Sequence, residues 1–158
     1  MGPSLNALAA ASRALAVAGV LLLAGCTQQR DTVAESCFAE PAAMAAMLRQ
    51  DPPVVLGDGT RLAGCVSAAR TDGELQSLGL LFVRVADMLR AEAASDPDAA
   101  FALGYLSGAV RRGSRASSGS IAAQLARRVD QVATLDPSAG ATAAAALARG
   151  RQAGARNG

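Results

Sequence analysis

Apolar residues recur at helical spacing along much of the chain, and the clearest repeat follows residues 71–74. Thr71 is followed three residues later by Glu74, which is typical of the first turn of a helix. Apolar side chains then recur at intervals of three and four to about residue 94. We expect their face to be the centre of the core and a candidate partner-binding face; it consists of Leu75, Leu78, Phe82, Val85 and Leu89.

Shorter patterns predict further helices, at about 41–50, 97–112 and 120–135, with a weaker one at 139–148. Pro41 and Pro97 suit the first helical turn, where the missing N–H is not needed. Residues 150–158 are expected to form a disordered tail. The prediction for 35–149 is therefore an all-α domain, a small bundle of about four to five helices.

Residues 54–66 show the least helical pattern in this domain. A turn at 57–60, with the sequence Gly-Asp-Gly-Thr, separates two short apolar stretches. The segment is predicted to be either a small hairpin or an extended loop held down by Cys65.

Small residues recur four apart at Ala100, Gly104 and Gly108. Glycine costs about 1 kcal/mol relative to alanine inside a helix, so this spacing indicates an unusually close helix contact. Dimerisation within a membrane is the alternative, but Arg111 and Arg112 and the short length of the helix argue against it. We expect close packing inside a soluble bundle.

Composition excludes several kinds of chemistry. Histidine and lysine are absent, which removes imidazole nucleophile pairs, imidazole metal ligands, Schiff-base formation and the phosphate-binding P-loop. Aromatic residues make up only 3% of the chain, too few for a base-stacking surface. We therefore expect no metal, no cofactor and no nucleic-acid partner, and no small-molecule substrate is indicated.

The N-terminal segment has the pattern of an export signal, with Arg13 followed by an apolar stretch too short to span a bilayer comfortably. It ends in Leu-Ala-Gly-Cys at 23–26, which resembles the lipobox of bacterial lipoproteins. The resemblance implies a signal peptide at 1–25, cleavage between Gly25 and Cys26, and diacylglycerol on the Cys26 thiol. Residues 26–34 would then form a lipidated tether. An ordinary cleaved signal or a buried apolar helix is the alternative.

The same resemblance implies a location in the cell envelope. In lipoproteins of two-membrane bacteria, an aspartate after the lipidated cysteine favours retention at the inner membrane. Thr27 stands at that position here. If the source has two membranes, the chain is expected at the outer membrane, facing the periplasm, with membrane lipid as a partner through Cys26.

Two cysteines remain, Cys37 and Cys65. An even pair in an exported domain predicts a disulfide. Two separately buried thiols are the alternative. A redox or metal role is disfavoured because the spacing is not CxxC and histidine is absent.

Charge is unevenly distributed along the chain. Residues 26–98 carry 11 acids and 6 arginines, whereas the remainder carries 2 acids and 8 arginines. The densest basic group is Arg111, Arg112 and Arg115, a candidate patch for anionic headgroups or an acidic partner. The interpretation we favour is a solvated face that also pairs with the acidic first half.

These observations favour a non-catalytic binding or structural module of the envelope. Small helical lipoproteins with a disulfide include pilotins, and the chain is similar to them in architecture only. A pilotin-like or assembly-factor-like role implies an envelope protein partner, an amphipathic helix held in a groove lined by the Leu75–Leu89 helix. The alternative is a carboxylate-dependent cell-wall hydrolase that uses Glu35 and Glu40, which flank Cys37.

Overall fold

The computed structural model describes residues 33–117 and 119–158. The predicted signal peptide, Cys26 and most of the tether lie outside these residues. The described part is helical, which confirms the predicted all-α fold. Its helices are α1 (Pro41–Leu48), α2 (Leu62–Ala68), α3 (Asp72–Glu92), α4 (Pro97–Ala116), α5 (Ser120–Val132) and α6 (Gly140–Asn157), with 3₁₀ turns at Glu35–Phe38 and Pro137–Ala139.

Helix α4 is the centre of the domain, because each of the other described α-helices contacts it. Twelve of its 20 residues are buried, and most of them are small or aliphatic. We expected α3 to be central. Small side chains instead let neighbours approach α4 from several sides, whereas α3 buries only one stripe.

Helix α3 begins at the capping box that the sequence predicts. The Thr71 Oγ1 atom accepts a hydrogen bond from the Glu74 N–H at 3.2 Å. In return, the Glu74 carboxylate accepts one from the Thr71 N–H at 2.9 Å. The two bonds satisfy N–H groups that have no partner within the helix.

Helices α4 and α6 meet through glycines on both sides. A Cβ atom at Gly104 or Gly108 would clash with backbone atoms of α6. A Cβ atom at Gly150 or Gly154 would clash with backbone atoms of α4. The close packing expected at Gly104 and Gly108 is therefore present, and its partner is α6.

This contact corrects the expectation of a disordered tail at 150–158. Helix α6 continues to Asn157, and Ala153 and Gly154 within it are buried. Gly150 and Gly154 let α6 lie close against α4, and this contact orders the end of the chain.

The segment expected to be a hairpin or a loop contains a single antiparallel bridge between Val55 and Arg61. Gly59 closes the turn with a positive φ of 88°. From Leu62 the chain forms α2, so the non-helical interpretation of residues 62–66 is wrong. Helix α2 packs so closely on α4 that a Cβ atom at Gly113 would clash with the Ala63 carbonyl oxygen.

The predicted disulfide is present, with an S–S distance of 2.04 Å between Cys37 and Cys65. It joins the first 3₁₀ turn to α2, and both cysteines are fully buried. The bond thus fastens the first described residues to a helix that packs on α4.

Candidate binding groove between α3 and α5

Helices α3 and α5 pack side by side, and a groove of about 260 Å³ lies between them. A Cβ atom at Gly79 would lie 3.4 Å from the Leu125 Cδ1 atom, so the two helices are in close contact here. The groove is lined by Leu75, Gln76, Gly79 and Leu80 of α3 and by Ile121, Gln124, Leu125 and Arg128 of α5.

Leu80 is the most exposed large apolar side chain among the described residues. Its exposed fraction is 76%, against 37–45% for Met88, Phe38 and Val55. Single exposed apolar residues are common on protein surfaces. Leu80 differs because it lines a groove together with Leu75, Ile121 and Leu125. Leu75 and Leu125 are themselves buried, at 7% and 3% exposure, so Leu80 is the exposed member of this set.

Arg128 gives the groove a positive charge that the described residues do not neutralise, since no acidic side chain among them pairs with it. Two more exposed arginines without such an ion pair lie close in sequence to the groove residues. Arg127 precedes Arg128 on α5, and Arg84 lies one turn beyond Leu80 on α3.

Other arginines are used inside the domain. Arg49 forms ion pairs with Glu92 at 2.6 Å and Asp96 at 3.3 Å, and the hydrogen bond with Glu92 raises the pKa of its guanidinium. Arg151 donates a hydrogen bond to the Ala133 carbonyl oxygen at 2.7 Å, at the end of α5. Arg49 and Arg151 thus differ from Arg128, for which no ion pair with a described residue is present.

The structure also corrects the expected partner-binding face. Leu75, at the edge of the groove, is only 7% exposed, and Leu78, Phe82, Val85 and Leu89 are fully buried in the core. Helices of the same chain cover them, so they are not available to a partner helix. The groove lies beside the predicted face, and the strict helical periodicity gave no indication of Leu80.

The three arginines of the predicted basic patch are exposed, and two of them also make contacts within the domain. Arg111 pairs with Asp130 of α5 at 2.6 Å. Arg112 donates hydrogen bonds to the carbonyl oxygens of Ala155 and Arg156 in the last turn of α6. Arg115 remains exposed. We expected this group to pair with the acidic first half of the chain. Arg111 pairs instead with Asp130, which lies in the second half.

Asp130 joins α4 to α5 through a contact that no sequence motif indicates. The buried Ser107 hydroxyl donates a hydrogen bond to its Oδ1 atom at 2.6 Å, while Arg111 binds Oδ2. Ser107 is only 2% exposed. The arrangement satisfies a buried hydroxyl and explains a polar position within an otherwise apolar face of α4.

Three carboxylates have a lowered pKa, and each lies at a cap or a turn. The backbone N–H of Arg70 lowers the pKa of Glu74, and that of Thr60 lowers the pKa of Asp58. Hydrogen bonds from Ser138 lower the pKa of Asp136. These groups stabilise local structure and do not line the groove.

Two further cavities have different character. The first, of about 190 Å³, is lined by Arg49, Phe101 and Arg149. The second, of about 280 Å³, is polar and lies where the ends of α2 and α4 meet the starts of α3 and α5. Glu35 and Glu40 are exposed and line none of these three cavities.

Within the described ranges, no group of three or more histidine, cysteine, aspartate or glutamate residues is placed to hold a metal ion. In the same part of the chain, no helix is both long enough and apolar enough to cross a membrane. No protein-family model, curated protein or solved structure matches the chain. The groove between α3 and α5, where Leu80 is exposed, is the feature on which the functional proposal rests.

Proposed function

We propose that the chain is a lipid-anchored, non-catalytic binding module of the cell envelope, which holds an envelope protein in the groove between α3 and α5. The observation that carries the proposal is the 76% exposure of Leu80 at the groove between α3 and α5. Covering a leucine removes its apolar surface from water and contributes about 2 kcal/mol when burial is complete. A partner would supply that cover.

The sequence supports the anchor, and the disulfide supports export of the domain. Leu-Ala-Gly-Cys at 23–26 resembles a lipobox, and Thr27 in place of aspartate after it favours the outer membrane if the source has two membranes. A fully buried disulfide is typical of a domain that folds in an oxidising compartment. Cys26 and Val33 are seven residues apart, so an extended tether reaches about 25 Å. The module would then act close to the bilayer surface.

Metabolic labelling tests the anchor. Cells expressing the full chain are grown with radioactive palmitate, alongside cells expressing Cys26→Ser and, as a matched control, Thr27→Ser. Label is expected on the wild type and Thr27→Ser and is lost from Cys26→Ser, because only that substitution removes the acceptor thiol. Equal labelling of all three chains contradicts lipid attachment at Cys26.

Photocrosslinking in intact cells tests the groove. The photoreactive residue p-benzoylphenylalanine is placed at Leu80 and, as a control, at Ala144, an exposed residue of α6. Irradiation is expected to give one discrete adduct with an envelope protein from position 80 and none from position 144. Absence of an adduct at Leu80 argues against a binding role for the groove and leaves the anchor as a separate question.

A further inference from the structure

We infer that α6 is an exchangeable helix, and that the glycine face of α4 accepts α6 of a second copy of this chain as well as its own. The glycine face is the surface of α4 at Gly104 and Gly108, which α6 covers. The structure therefore shows the helix that this face binds, and the exchange changes only the chain that supplies it. Neither the groove between α3 and α5 nor the lipid anchor is needed for this exchange.

Helices α4 and α6 meet as two equivalent helices. A Cβ atom on each contact glycine would meet the same two backbone atoms of the other helix. These are the carbonyl oxygen three residues before the opposite glycine and the nitrogen one residue after it. Gly104 stands in this relation to Gly150, and Gly108 stands in it to Gly154, so the helices run parallel. Separate helices with this glycine spacing associate in the same way, so the contact does not require that both belong to one chain.

Helix α6 is held to the domain almost entirely by α4. Within the part of the chain that the structure describes, α6 makes more than marginal contact only with α4 and with the 3₁₀ turn Pro137–Ala139 that precedes it. Transfer of α6 to a second copy breaks this one helix contact and forms an identical one. Exchange of an identical element is a route to dimers that costs little free energy, because the same contacts are made in both states.

The linker between α5 and α6 allows α6 to be redirected. Ala133, which follows α5, lies level with Arg151, because the Arg151 side chain donates a hydrogen bond to its carbonyl oxygen at 2.7 Å. Helix α6 begins eleven residues before Arg151, about 16 Å away along the helix axis. The chain thus turns back along α6 before the helix begins. The bend lies at Gly140, whose positive φ of 80° suits glycine.

Complementation between two blocked chains tests the exchange. One full chain carries Gly104→Leu, which blocks its α4, and the other carries Gly150→Leu, which blocks its α6. Leucine blocks the close approach and keeps a high helix propensity. Neither chain can form the contact by itself, whereas the intact α6 of the first fits the intact α4 of the second.

The two chains carry different epitope tags and are co-expressed in cells. We expect the tags to co-purify roughly tenfold more from the mixed pair than from pairs in which both chains carry Gly104→Leu or both carry Gly150→Leu. Those control pairs have the same defects but lack either an intact α4 or an intact α6. A pair with Gly73→Leu in both chains should behave like wild type, because no atom lies within 4 Å of a Cβ at that position.

A shortened linker tests the exchange with both helices intact. Deletion of Pro137–Ala139 leaves four peptide steps between Ala133 and Gly140, which reach about 14 Å when fully extended. Helix α6 can then reach its own α4 only by losing its first turn. Two tagged copies of the shortened chain should co-purify roughly fivefold more than copies lengthened by three residues at the same place, since short hinges favour exchange.

Three results would overturn the inference. Co-purification of the mixed pair at the level of the two control pairs would show that α6 stays on its own chain or that copies associate elsewhere. Equal co-purification of shortened and lengthened copies would show that the linker does not direct α6 to a second copy. Recovery of the shortened chain as a monomer alone would show the same. None of these results bears on crosslinking at Leu80, because the groove is formed by α3 and α5.

Discussion

Individual polar side chains tie together parts of the chain that are distant in sequence. The buried Tyr105 hydroxyl accepts a hydrogen bond from the Val54 N–H at 3.1 Å and holds the turn region against α4. The Ser107 hydroxyl and Asp130 make a comparable link between α4 and α5. Caps, in contrast, act within one helical turn, and Thr71 is the clearest example.

The cap of α3 should make a measurable contribution to stability. Thr71→Ala removes the oxygen that accepts from the Glu74 N–H, so we expect the free energy of unfolding to fall by about 1 kcal/mol. Urea denaturation measures the change. Ser77→Ala, at an exposed position within the same helix, is the matched control and should change stability by less than about 0.5 kcal/mol. Equal effects would show that the cap contributes nothing.

The capping glutamate should also make stability depend on pH. Its folded pKa lies below the ordinary value of 4.5, because the N–H groups of Arg70 and Thr71 bond to the charged form. Its contribution is therefore fully present above pH 4.5 and is lost as the pH falls through the lowered folded value.

We expect the stability difference between wild type and Glu74→Gln to be largest near neutral pH and to shrink in acid. Thermal unfolding at a series of pH values from neutral to strongly acidic measures it. Glu40→Gln serves as the control, because the Glu40 side chain makes no cap hydrogen bond at the start of α1. A difference for Glu74→Gln that grows in acid would contradict the assigned role.

At the scale of the element, the contact between α4 and α6 depends on the absence of a Cβ atom in glycine. Helix α6 has one large apolar residue, Leu147, and an alanine-rich remainder. Contact along its length comes from the approach of two backbones at Gly104, Gly108, Gly150 and Gly154. Many weak dispersion contacts then replace the burial of large side chains.

A single methyl group should therefore disrupt this contact. In Gly150→Ala, the added Cβ would clash with the Phe101 carbonyl oxygen, and we expect a loss of about 3 kcal/mol from the free energy of unfolding. Gly73→Ala is the matched control, because no atom lies within 4 Å of its added Cβ. That substitution should leave stability unchanged or raise it by up to about 1 kcal/mol. Chemical denaturation of both proteins measures the two changes in the free energy of unfolding. Similar changes would mean that α6 can shift to accommodate the methyl group without loss of stability.

At the scale of the whole molecule, the disulfide compensates for a shortage of large side chains. The chain has 39 alanines, and its large buried residues are correspondingly few. The bond joins residues 28 positions apart and so restricts the unfolded chain as well as the folded one.

Removal of this bond should cost more than any cap. In a Cys26→Ser background, which removes the third thiol, we expect Cys37→Ala with Cys65→Ala to lower the free energy of unfolding by about 3 to 4 kcal/mol. Urea denaturation against the Cys26→Ser chain measures this loss. A loss below about 1 kcal/mol would indicate that the core holds the first turn without the bond.

Much of the secondary structure could be predicted from the sequence, because its signals act over a single turn. Asp96 accepts a hydrogen bond from the Asp98 N–H at 2.9 Å as an N-cap should, and Pro41 and Pro97 occupy first turns. The cysteine pair was also predictable, since it followed from assigning Cys26 to lipid. These inferences did not require knowledge of which helix meets which.

Tertiary structure alone decided the centre of the core, the order of the C-terminal residues and the position of the groove. A glycine near the end of a chain is compatible locally with a flexible tail or with a close helix contact, and only α4 lying against Gly150 and Gly154 distinguishes them. The 75–89 face was correctly identified as apolar. Contacts between residues far apart in sequence decide whether this face is covered by solvent, by a partner or by its own chain. In this fold other helices of the chain cover the face, and Leu80 stays exposed.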